Sequence, residues 1–562
     1  MSSDSTSFSR RQFLAGCGAA GAAAVGAPLA SAAQQEPERP ELSPPTPALA
    51  AGGQVSLEGQ QALAAVDRRF QQQRPRMQRT VSAVDDLGLD PSGETPINGN
   101  FGSALSGMSN TRITFPSDGT FALSGHVTAI PEGPVELIGN GCSFVIPAGT
   151  EMKSLTLVLP GGSLVHDITI DQSAKGALQE LSIQSDGVVR ADNVTIKGYA
   201  PAKPSDSDQG GVDAMFSPIA RTSEAVIRAT NFTAVGGTAA GTHNEGDLPP
   251  DSPENTLGSP MGIWVGQANE GTIQLSNPKL RGWSNGIYGG RTPGIVEMYA
   301  GLLVNNFNSQ ARLGGGSVID GVSMLLDDRQ WSDKGPFKIG HQGVYAVRVD
   351  AKKGNQTDPI TFKNCKVVAK SMREGAALFD WESESGPGII RNCHITNHLD
   401  RPVVLGESPS APAATNILVD QSLIDGSSSA AVMEIQGRPQ SKIQQTCIKL
   451  PNAGPDDIQG ATVGSGVSFG KQCKSGSGLS NPKKVGSGGN ISSLPAPTGN
   501  SSGSVTSGAT QTPPRARARG AGSGNFFAAL FGGFFGGIGL LLMMMVLVPV
   551  GFIALLWQLL SS

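Results

Sequence analysis

The chain has 562 residues and a formal net charge of −4. Residues 34–474 hold 35 basic and 45 acidic side chains, so most of the chain is mildly acidic. This balance argues against a nucleic-acid partner, because such binding needs concentrated Lys and Arg. The five cysteines beyond residue 32 have no C-x-x-C spacing, so we expect neither a zinc site nor any other cofactor.

An export signal is predicted at residues 1–32. Residues 9–14, SRRQFL, resemble the twin-arginine motif S-R-R-x-F-L, in which Arg10 and Arg11 are the pair that the export machinery reads. An Ala/Gly-rich run follows and ends in Ala-Ser-Ala, a small-residue cleavage site. The alternatives are an ordinary secretory signal with a chance Arg pair and a lipoprotein signal cleaved at Cys17.

Residues 33–83 are predicted to combine a disordered stretch with one short helix. Pro, Ala and Gln dominate residues 34–54, a composition that does not support a packed core. Residues 59–77 have helical spacing and are expected to end as a helix near Pro75. Its apolar face is formed by Leu63, Val66 and Phe70.

The segment 84–474 consists of short runs of Val, Ile, Leu and Thr separated by Gly, Asn, Asp and Ser, which predicts many short strands. A loose repeat of Asn, Asp or Gly followed by apolar-x-apolar recurs about every 25–40 residues, roughly one turn of a parallel β-helix. Asn suits the bend because it tolerates left-handed geometry and its amide can stack on the next Asn. An antiparallel sandwich array is the alternative. The copies are Asp167–Ile170, Asn193–Ile196, Asn231–Ala234, Gly321–Met324, Asn364–Val367 and Asn392–Ile395.

Several motifs carry a resemblance to a known family. Residues 84–93, VDDLGLDPSG, followed by TRITFP at 111–116, resemble the start of a right-handed parallel β-helix of the pectate-lyase superfamily. GIWVG at 262–266, NGIY at 285–288 and VNNFN at 304–308 resemble surface β-helix proteins of halophilic archaea and their viruses. The resemblance implies an all-β, right-handed parallel β-helix over 84–474. It implies little about function, since this fold hosts many activities.

The C-terminal part is predicted to be a stalk and an anchor. Residues 475–524 are rich in Ser, Gly and Pro and are expected to be flexible. Residues 525–562 contain an uncharged apolar stretch, Phe526–Trp557, long enough for a single transmembrane helix. These features predict an exported, single-pass membrane protein of a cell surface or a virion envelope. Small residues at helix-pairing spacing favour a homo-oligomer: Gly532, Gly533, Gly536 and Gly537.

Two kinds of covalent modification are candidates. Cys447 and Cys473 bracket the last segment of the body, and a disulfide there would contribute about 3 kcal/mol. Cys365 and Cys393 occupy the same inward position of adjacent repeats, as small apolar residues would, and are a second candidate pair. Glycosylation sequons begin at Asn355, Asn490 and Asn500.

Hydrolase chemistry is one weak alternative that the superfamily implies. Polygalacturonases have a paired-Asp segment and then a Gly-His-Gly segment. Here Asp327 and Asp328 precede GHQG, which contains His341. The carboxylates would serve as general acid and base, with His341 tuning the local charge. The two segments are half a turn apart, however, and would not stack on adjacent turns.

Lyase chemistry is a second weak alternative. Pectate lyases take a proton with Arg in an R-x-P-x-x-R run beside calcium, and Arg291 begins such a run without its final Arg. An acidic cluster offers oxygen ligands for calcium, although a solvated acidic loop is the simpler interpretation. Its members are Glu374, Asp380, Glu382 and Glu384.

The sequence therefore favours attachment, meaning recognition of a glycan or another surface, or structural display. The alternatives are a lyase or hydrolase of acidic polysaccharide and the envelope spike of an archaeal virus. Exposed aromatics would stack on sugars, whereas buried ones would only fill the core. The candidates are Trp264, Trp283, Trp331 and Trp381.

Overall fold

The computed structural model describes residues 54–473 apart from 151–152, 175–176, 178, 199–202, 205–213, 237–256, 259–260, 307, 328–344, 352–353, 373–374 and 411–415. All of these residues belong to one compact unit, Met1–Asn500. A second unit, Ser501–Ser562, lies outside the described residues, as do the predicted export signal with Arg10 and Arg11, the stalk, the anchor, Asn490 and Asn500. Within the described part of the chain, no helix is long and apolar enough to cross a bilayer.

Three long sheets, each parallel throughout, build the described body, and successive turns of the chain add one strand to each sheet, except that the first and last turns add none to sheet 3. The strands of sheet 1 are Arg79–Ser82, Thr111–Thr114, Val135–Ile138, Leu164–His166, Val188–Asp192, Val226–Thr230, Thr272–Ser276, Ile295–Tyr299, Val318–Asp320, Ile360–Lys363, Gly388–Arg391, Ile417–Asp420, Lys442–Gln444 and Thr462–Val463. Those of sheet 2 are Ser92–Pro96, Thr120–Ala122, Ser143–Val145, Thr169–Gln172, Thr195–Gly198, Thr233–Ala234, Lys279–Arg281, Leu302–Val304, Ser323–Asp327, Lys366–Ser371, His394–Asn397, Leu423–Gly426, Cys447–Lys449 and Ser468–Phe469. Those of sheet 3 are Val127–Ala129, Lys153–Val158, Gln179–Ser185, Ala214–Ala220, Met261–Trp264, Asn285–Gly289, Ser309–Leu313, Tyr345–Val349, Phe379–Trp381, Val404–Gly406, Met433–Ile435 and Ile458–Gln459.

This topology fits a right-handed parallel β-helix and excludes the antiparallel sandwich array. The first strand begins at Arg79, so the body starts five residues before the predicted boundary at residue 84. A short antiparallel pair and two 3-10 helices complete the described elements: Lys203–Pro204 with Leu257–Gly258, and Pro455–Asp457 and Gly470–Gln472.

An asparagine ladder shapes the bend between sheets 1 and 2. Asn193, Asn231 and Asn277 have φ angles of 54°, 55° and 55°, the left-handed conformation that Asn tolerates. Asn231 Nδ2 donates to Asn193 Oδ1 at 2.8 Å, and Asn277 Nδ2 donates to Asn231 Oδ1 at 2.8 Å. The predicted repeat and its stacked amides are therefore confirmed at these turns.

The position after this bend holds small hydrogen-bonding side chains on four successive turns. Cys365 Sγ lies 3.3 Å from the carbonyl oxygen two residues earlier, and Cys393 Sγ makes the same contact at 3.3 Å. Ser422 Oγ and Thr446 Oγ1 donate in the same way at 2.8 Å and 2.7 Å. The structure thus has Cys365 and Cys393 as separate buried thiols rather than the candidate disulfide. They act here as counterparts of serine.

The last turn is closed by a disulfide between Cys447 and Cys473. Their Cα atoms are 5.5 Å apart and 26 residues separate them in sequence. Cys473 follows a 3-10 helix and Cys447 begins a strand of sheet 2, so the bond ties the C-terminal end to that sheet.

Helix α1, Leu57–Gln73, lies along the outer face of sheet 1. Its buried side chains include Leu63, Val66 and Phe70, so the predicted helix and its face are confirmed. At the start of the helix Ser56 hydrogen-bonds Asp320, and at its end Arg74 pairs with Glu136. The strands that carry Asp320 and Glu136 are six strand spacings apart in sheet 1. Six strand spacings are about 29 Å and a helix of this length is about 26 Å, so α1 matches that distance.

Helix α2, Asn98–Ser106, contributes to the core near the first turns. Its Phe101 ring lies 6.1 Å from Phe115 and 5.8 Å from Phe144. Further along, the inward side chains of the strands continue one core through all three sheets.

Candidate functional site

Sheet 3 carries a row of large polar and aromatic side chains on its outer face. Alternate residues of its strands are fully buried and point inward, including Ile263, Ile287 and Val347. The residues that follow them point outward and are paired in register from strand to strand. This first row is Trp264, Tyr288, Arg312, Arg348, Asp380, Leu405 and Glu434.

A second row, made of carboxylates, runs beside the first. Asp350, Glu382 and Glu407 each lie two residues after a first-row residue and therefore share its face. The backbone N–H of Glu382 donates to Val349, and that of Glu407 donates to Trp381, which keeps the three on consecutive turns. Eight charged side chains, drawn from the two rows and from residues next to them, are what we call the charged face: Arg291, Arg312, Arg348, Asp350, Asp380, Glu382, Glu384 and Glu407.

Ion pairs hold the charged face together. Arg312 Nε donates to Asp350 Oδ2 at 3.1 Å, and its Nη2 lies 3.7 Å from Glu382 Oε1. Arg348 pairs closely with Glu382 and lies 3.9 Å from Asp380. These groups are largely buried, since the Asp350 side chain is 1% exposed and that of Arg312 is 12% exposed. Such pairs keep the face rigid, because breaking a buried pair leaves a charge uncompensated.

Two tyrosine rings contact the arginines of the charged face. The Arg312 guanidinium lies 4.8 Å from the centre of the Tyr288 ring, and that of Arg348 lies 5.3 Å from the Tyr345 ring. These contacts have cation–π geometry and fix the direction of both guanidinium groups.

Arg291 is the most exposed cation of the charged face. Its side chain is 44% exposed, and its Nε lies 3.5 Å from Asp350 Oδ2. The predicted lyase residue therefore lies next to the carboxylate rows.

Asp380 is the carboxyl group whose ionisation is most perturbed. Burial raises its pKa to about 7, and the nearby Glu407 and Glu382 add to this effect, while Arg348 opposes it. Burial also raises the pKa of Glu382, against Arg348 and Arg312. Within the described part of the chain, Asp380 Oδ1 is buried without a hydrogen-bond partner. The face thus holds a carboxyl group that gains and loses its proton near neutral pH.

The acidic cluster does not fit a calcium ion. Oxygen atoms of Asp350, Glu382 and Glu384 lie within 4.8 Å of one another. However, Arg312 contacts two of these carboxylates, and Arg348 contacts Glu382 as well. The guanidinium groups already supply the compensating charge that a cation would bring, so we assign no metal here.

Of the remaining predicted catalytic and calcium-ligating residues, the structure describes Asp327. Asp327 ends a strand of sheet 2, is buried, and its backbone N–H donates to Asn305 Oδ1 at 2.7 Å. Asp328, His341 and Glu374 lie outside the described residues. Asp327, the described residue of the polygalacturonase-like pattern, therefore lies on sheet 2 and not on the charged face.

The tryptophans divide between core and surface. Trp283 and Trp381 are fully buried in the core, whereas Trp264 is half-buried in the first row. Trp331 lies outside the described residues. Only Trp264 of the described tryptophans is thus placed to contact a ligand on sheet 3.

The sequon at Asn355 lies in a surface loop. Asn355 Oδ1 accepts from Thr357 Oγ1 at 3.1 Å, while Asn355 Nδ2 donates to Asp358 Oδ2 at 2.7 Å. The Asn355 side-chain nitrogen, to which a glycan would be attached, is therefore hydrogen-bonded within the folded loop.

Sequence reasoning missed much of the charged face, including Tyr288, Arg312, Arg348 and Asp350. A usable signal exists in the spacing of the acids. An acidic residue stands two positions after an outward residue in Arg348-Val349-Asp350, Asp380-Trp381-Glu382 and Leu405-Gly406-Glu407. Aligning the turns on that pattern would have predicted that the three carboxylates lie side by side on neighbouring turns.

Comparison with known proteins adds little beyond the fold. No family model matches the chain, and no curated protein matches it significantly. Among solved structures, the catalytic domain of a GH87 α-1,3-glucanase in complex with nigerose is 11% identical, with a TM-score of 0.24 over 70% of each chain. A TM-score this low supports neither a shared site nor a shared activity.

Proposed function

We propose that the charged face of sheet 3 is a glycan-binding surface and that the protein works in attachment or recognition. The observation that carries this proposal is the register of the first row, in which Trp264, Tyr288, Arg312 and Arg348 occupy four successive turns. Aromatic rings offer stacking surfaces for sugars. Fixed guanidinium and carboxylate groups match sugar hydroxyls, which both donate and accept hydrogen bonds.

The charge balance favours a neutral glycan or an amino sugar over an acidic polysaccharide. Among the described residues, the charged face has three arginines and five carboxyl groups. At neutral pH, with Asp380 half protonated, the excess is therefore negative. Carboxylates of an acidic polymer would be repelled, because like charges close together are unfavourable.

Glycoside hydrolysis is a second candidate, and the raised pKa of Asp380 favours it. A carboxyl group that is protonated near pH 7 can donate to a glycosidic oxygen. A second carboxylate, Asp350, is close to two guanidinium groups and would act as base or nucleophile. Both residues lie on the same face as the proposed binding row.

Surface display completes the proposal. The signal at 1–32, the stalk at 475–524 and the apolar segment 525–562 support an exported, membrane-anchored protein on a cell or virion. Deletion of 525–562 should release the protein into the medium. A truncated protein that still sediments with membranes would refute the proposed anchor.

The binding proposal is tested by retention on immobilised polysaccharides. The full-length chain in detergent should be retained by a neutral or amino-sugar polymer and not by a polyuronate. Tyr288→Ala should weaken retention roughly 10-fold, since stacked aromatic contacts contribute about 1 kcal/mol or more. Lys197→Ala on sheet 2, 63% exposed, is the matched control and should bind like wild type.

Two results of this experiment would change the interpretation. Equal retention of the Tyr288→Ala and Lys197→Ala proteins would place the site elsewhere. Release of shortened sugars by wild type, lost in Asp380→Asn, would favour hydrolysis over attachment.

A further inference from the structure

A buried arginine lies behind the carboxylate row. Arg438 follows the strand Met433–Ile435 of sheet 3 and is 1% exposed. Its guanidinium is surrounded by the segment that carries Glu382 and Glu384 and by the backbone of Glu407. A charged side chain is rarely this buried unless it is hydrogen-bonded, and this one donates to four main-chain oxygens.

The guanidinium binds one short loop from inside. Arg438 Nη2 donates to the Glu382 carbonyl oxygen at 3.0 Å and to Ser385 Oγ at 3.1 Å. Its Nη1 donates to the carbonyl oxygens of Ser385 and Gly386 at 3.4 Å and 3.3 Å. The Nε donates to the Glu407 carbonyl oxygen at 2.8 Å. One side chain thus joins the 382–386 loop to the next turn of the second row.

The same loop is confined on its other side. A Cβ atom at Gly386 would lie 2.1 Å from the carbonyl oxygen of Gln356, so the loop backbone packs directly against its neighbour. The Ser383 N–H donates to Glu407 Oε2 at 3.1 Å. Within the loop, the Ser385 N–H donates to the Glu382 carbonyl oxygen at 3.0 Å. The position of Glu382 therefore depends on the side chain at position 438.

We propose that Arg438 is a positioning residue of the charged face, which rests on the proposed glycan-binding function. It holds Glu382, Glu384 and Glu407 at fixed distances from the first row without itself contacting a ligand. The planar guanidinium presents five N–H donors in a fixed fork, and this fork is what the loop oxygens require. A lysine in its place keeps a charge but cannot reach the oxygens on both turns.

Electrostatics agrees with this role. Burial lowers the pKa of Arg438 to about 10, and the nearby Glu407 and Asp380 oppose the shift. The group therefore stays protonated at neutral pH, and its charge offsets part of the acidic excess of the charged face.

The test compares Arg438→Lys and Arg438→Met with the same substitutions at Arg228. Arg228 is the matched control because it is 2% exposed, donates to the Leu63 carbonyl oxygen at 2.9 Å, and lies under α1 on sheet 1. Full-length proteins are measured by hydrogen exchange of peptides spanning 379–388, by carbon NMR titration of Asp380, and by polysaccharide retention.

We expect both Arg438 variants to raise the exchange rates of the Ser383 and Ser385 amides at least 10-fold, since each loses hydrogen bonds to a charged group. The titration midpoint of Asp380 should shift, and glycan retention should fall roughly 10-fold. The Arg228 variants should alter exchange in α1 only. Failure of Arg438→Met to fold would leave Arg438→Lys as the deciding variant.

Unchanged exchange and an unchanged Asp380 midpoint in the Arg438 variants would overturn the positioning role. The same loss of retention in the Arg228 variants would also overturn it, because it would make the effect general. If wild type retains no glycan, the exchange and titration results still decide the role of Arg438, while the proposed function fails on its own.

Discussion

Sheets 1 and 3 both bury charged side chains on their outer faces, but they balance those charges differently. In the ion pairs of sheet 1 and α1, six cationic groups face six carboxylates: Arg74, Arg112, Arg190, Arg228, Lys363 and Arg391 against Glu58, Asp67, Glu136, Asp192, Asp320 and Asp420. On the charged face of sheet 3, three arginines face five carboxyl groups. Both faces contain buried polar atoms without a hydrogen-bond partner. The two faces therefore differ in the balance of positive and negative groups and not in the presence of such atoms.

The source of the partners explains this difference. On sheet 1 the helix supplies them, as Asp67 of α1 lies 2.8 Å from Arg228 and 3.5 Å from Arg190. Burial opposes ionisation of Glu136, but Arg74 and Arg112 outweigh it and lower the pKa of that carboxyl group. On sheet 3 the paired groups all belong to the sheet and its loops. Charge on sheet 1 therefore docks a helix, whereas the charged face of sheet 3 is the surface that we propose binds a ligand.

The largest expected loss of stability on substitution tests the docking side of this comparison. Asp320 accepts from Ser56 Oγ at 2.6 Å and from Asn364 Nδ2 at 2.7 Å, and its side chain is fully buried. Asp320→Ala should lower the free energy of local opening of α1 by about 3 kcal/mol. Hydrogen exchange of the α1 amides measures this change. Glu58→Ala, at an exposed ion pair with Lys363, is the control and should have a much smaller effect, because solvent screens an exposed pair. Equal effects would mean that the buried carboxylate has no special role.

A pH dependence of stability tests the ligand side. Because the folded pKa of Asp380 is raised to about 7, the folded protein binds more protons than the unfolded chain between about pH 4 and 7. Asp380 should therefore cost stability increasingly as pH rises through that window, on the order of 4 kcal/mol by pH 8. Asp380→Asn should remove this loss, as measured by denaturant unfolding at several pH values.

Asp425 on sheet 2 provides a control of opposite sign. Burial opposes its ionisation, but the hydrogen bond from His394 lowers its pKa. Its contribution is present above the unfolded pKa and is lost as pH falls through the folded pKa, so Asp425→Asn should be most harmful at neutral pH. Parallel pH profiles for the two variants would contradict the distinction between the faces.

The smallest expected effect on stability is that of substitutions at Cys393, in the core between the two faces. Cys393 makes the carbonyl contact that Ser422 makes on the next turn, so Cys393→Ser should change stability by less than about 1 kcal/mol. Cys393→Val lacks the donor and should cost about 1 kcal/mol more. Denaturant unfolding distinguishes the two. A loss of several kcal/mol in the serine variant would show that the thiol has a role beyond this contact.

The fold was largely predictable from the sequence because its signals are local and repeated. An Asn bend followed by alternating apolar residues marks many of the turns, and the helical spacing of Leu63, Val66 and Phe70 marks α1. Those patterns depend only on backbone preference and on one buried side of each element. They predict that turns stack, but not which residues of different turns become neighbours.

The charged face was predictable only in part for that reason. Asp380, Glu382 and Glu384 form a visible cluster in sequence, whereas Arg312 and Asp350 meet through a register set by turns of unequal length. Arg291 was a candidate for a lyase motif, yet its neighbour in space is Asp350. Long insertions between strands hide such pairings from any search at fixed spacing.

The most direct test of the central claim is a hydrogen-exchange footprint of the full-length protein with and without a retained neutral or amino-sugar polymer. The account predicts added protection in 285–289, 309–313, 345–350 and 379–388 of sheet 3 and its loops, and unchanged exchange in α1 and the strands beneath it. Protection confined to sheet 1, or a protein that retains no glycan, would contradict it.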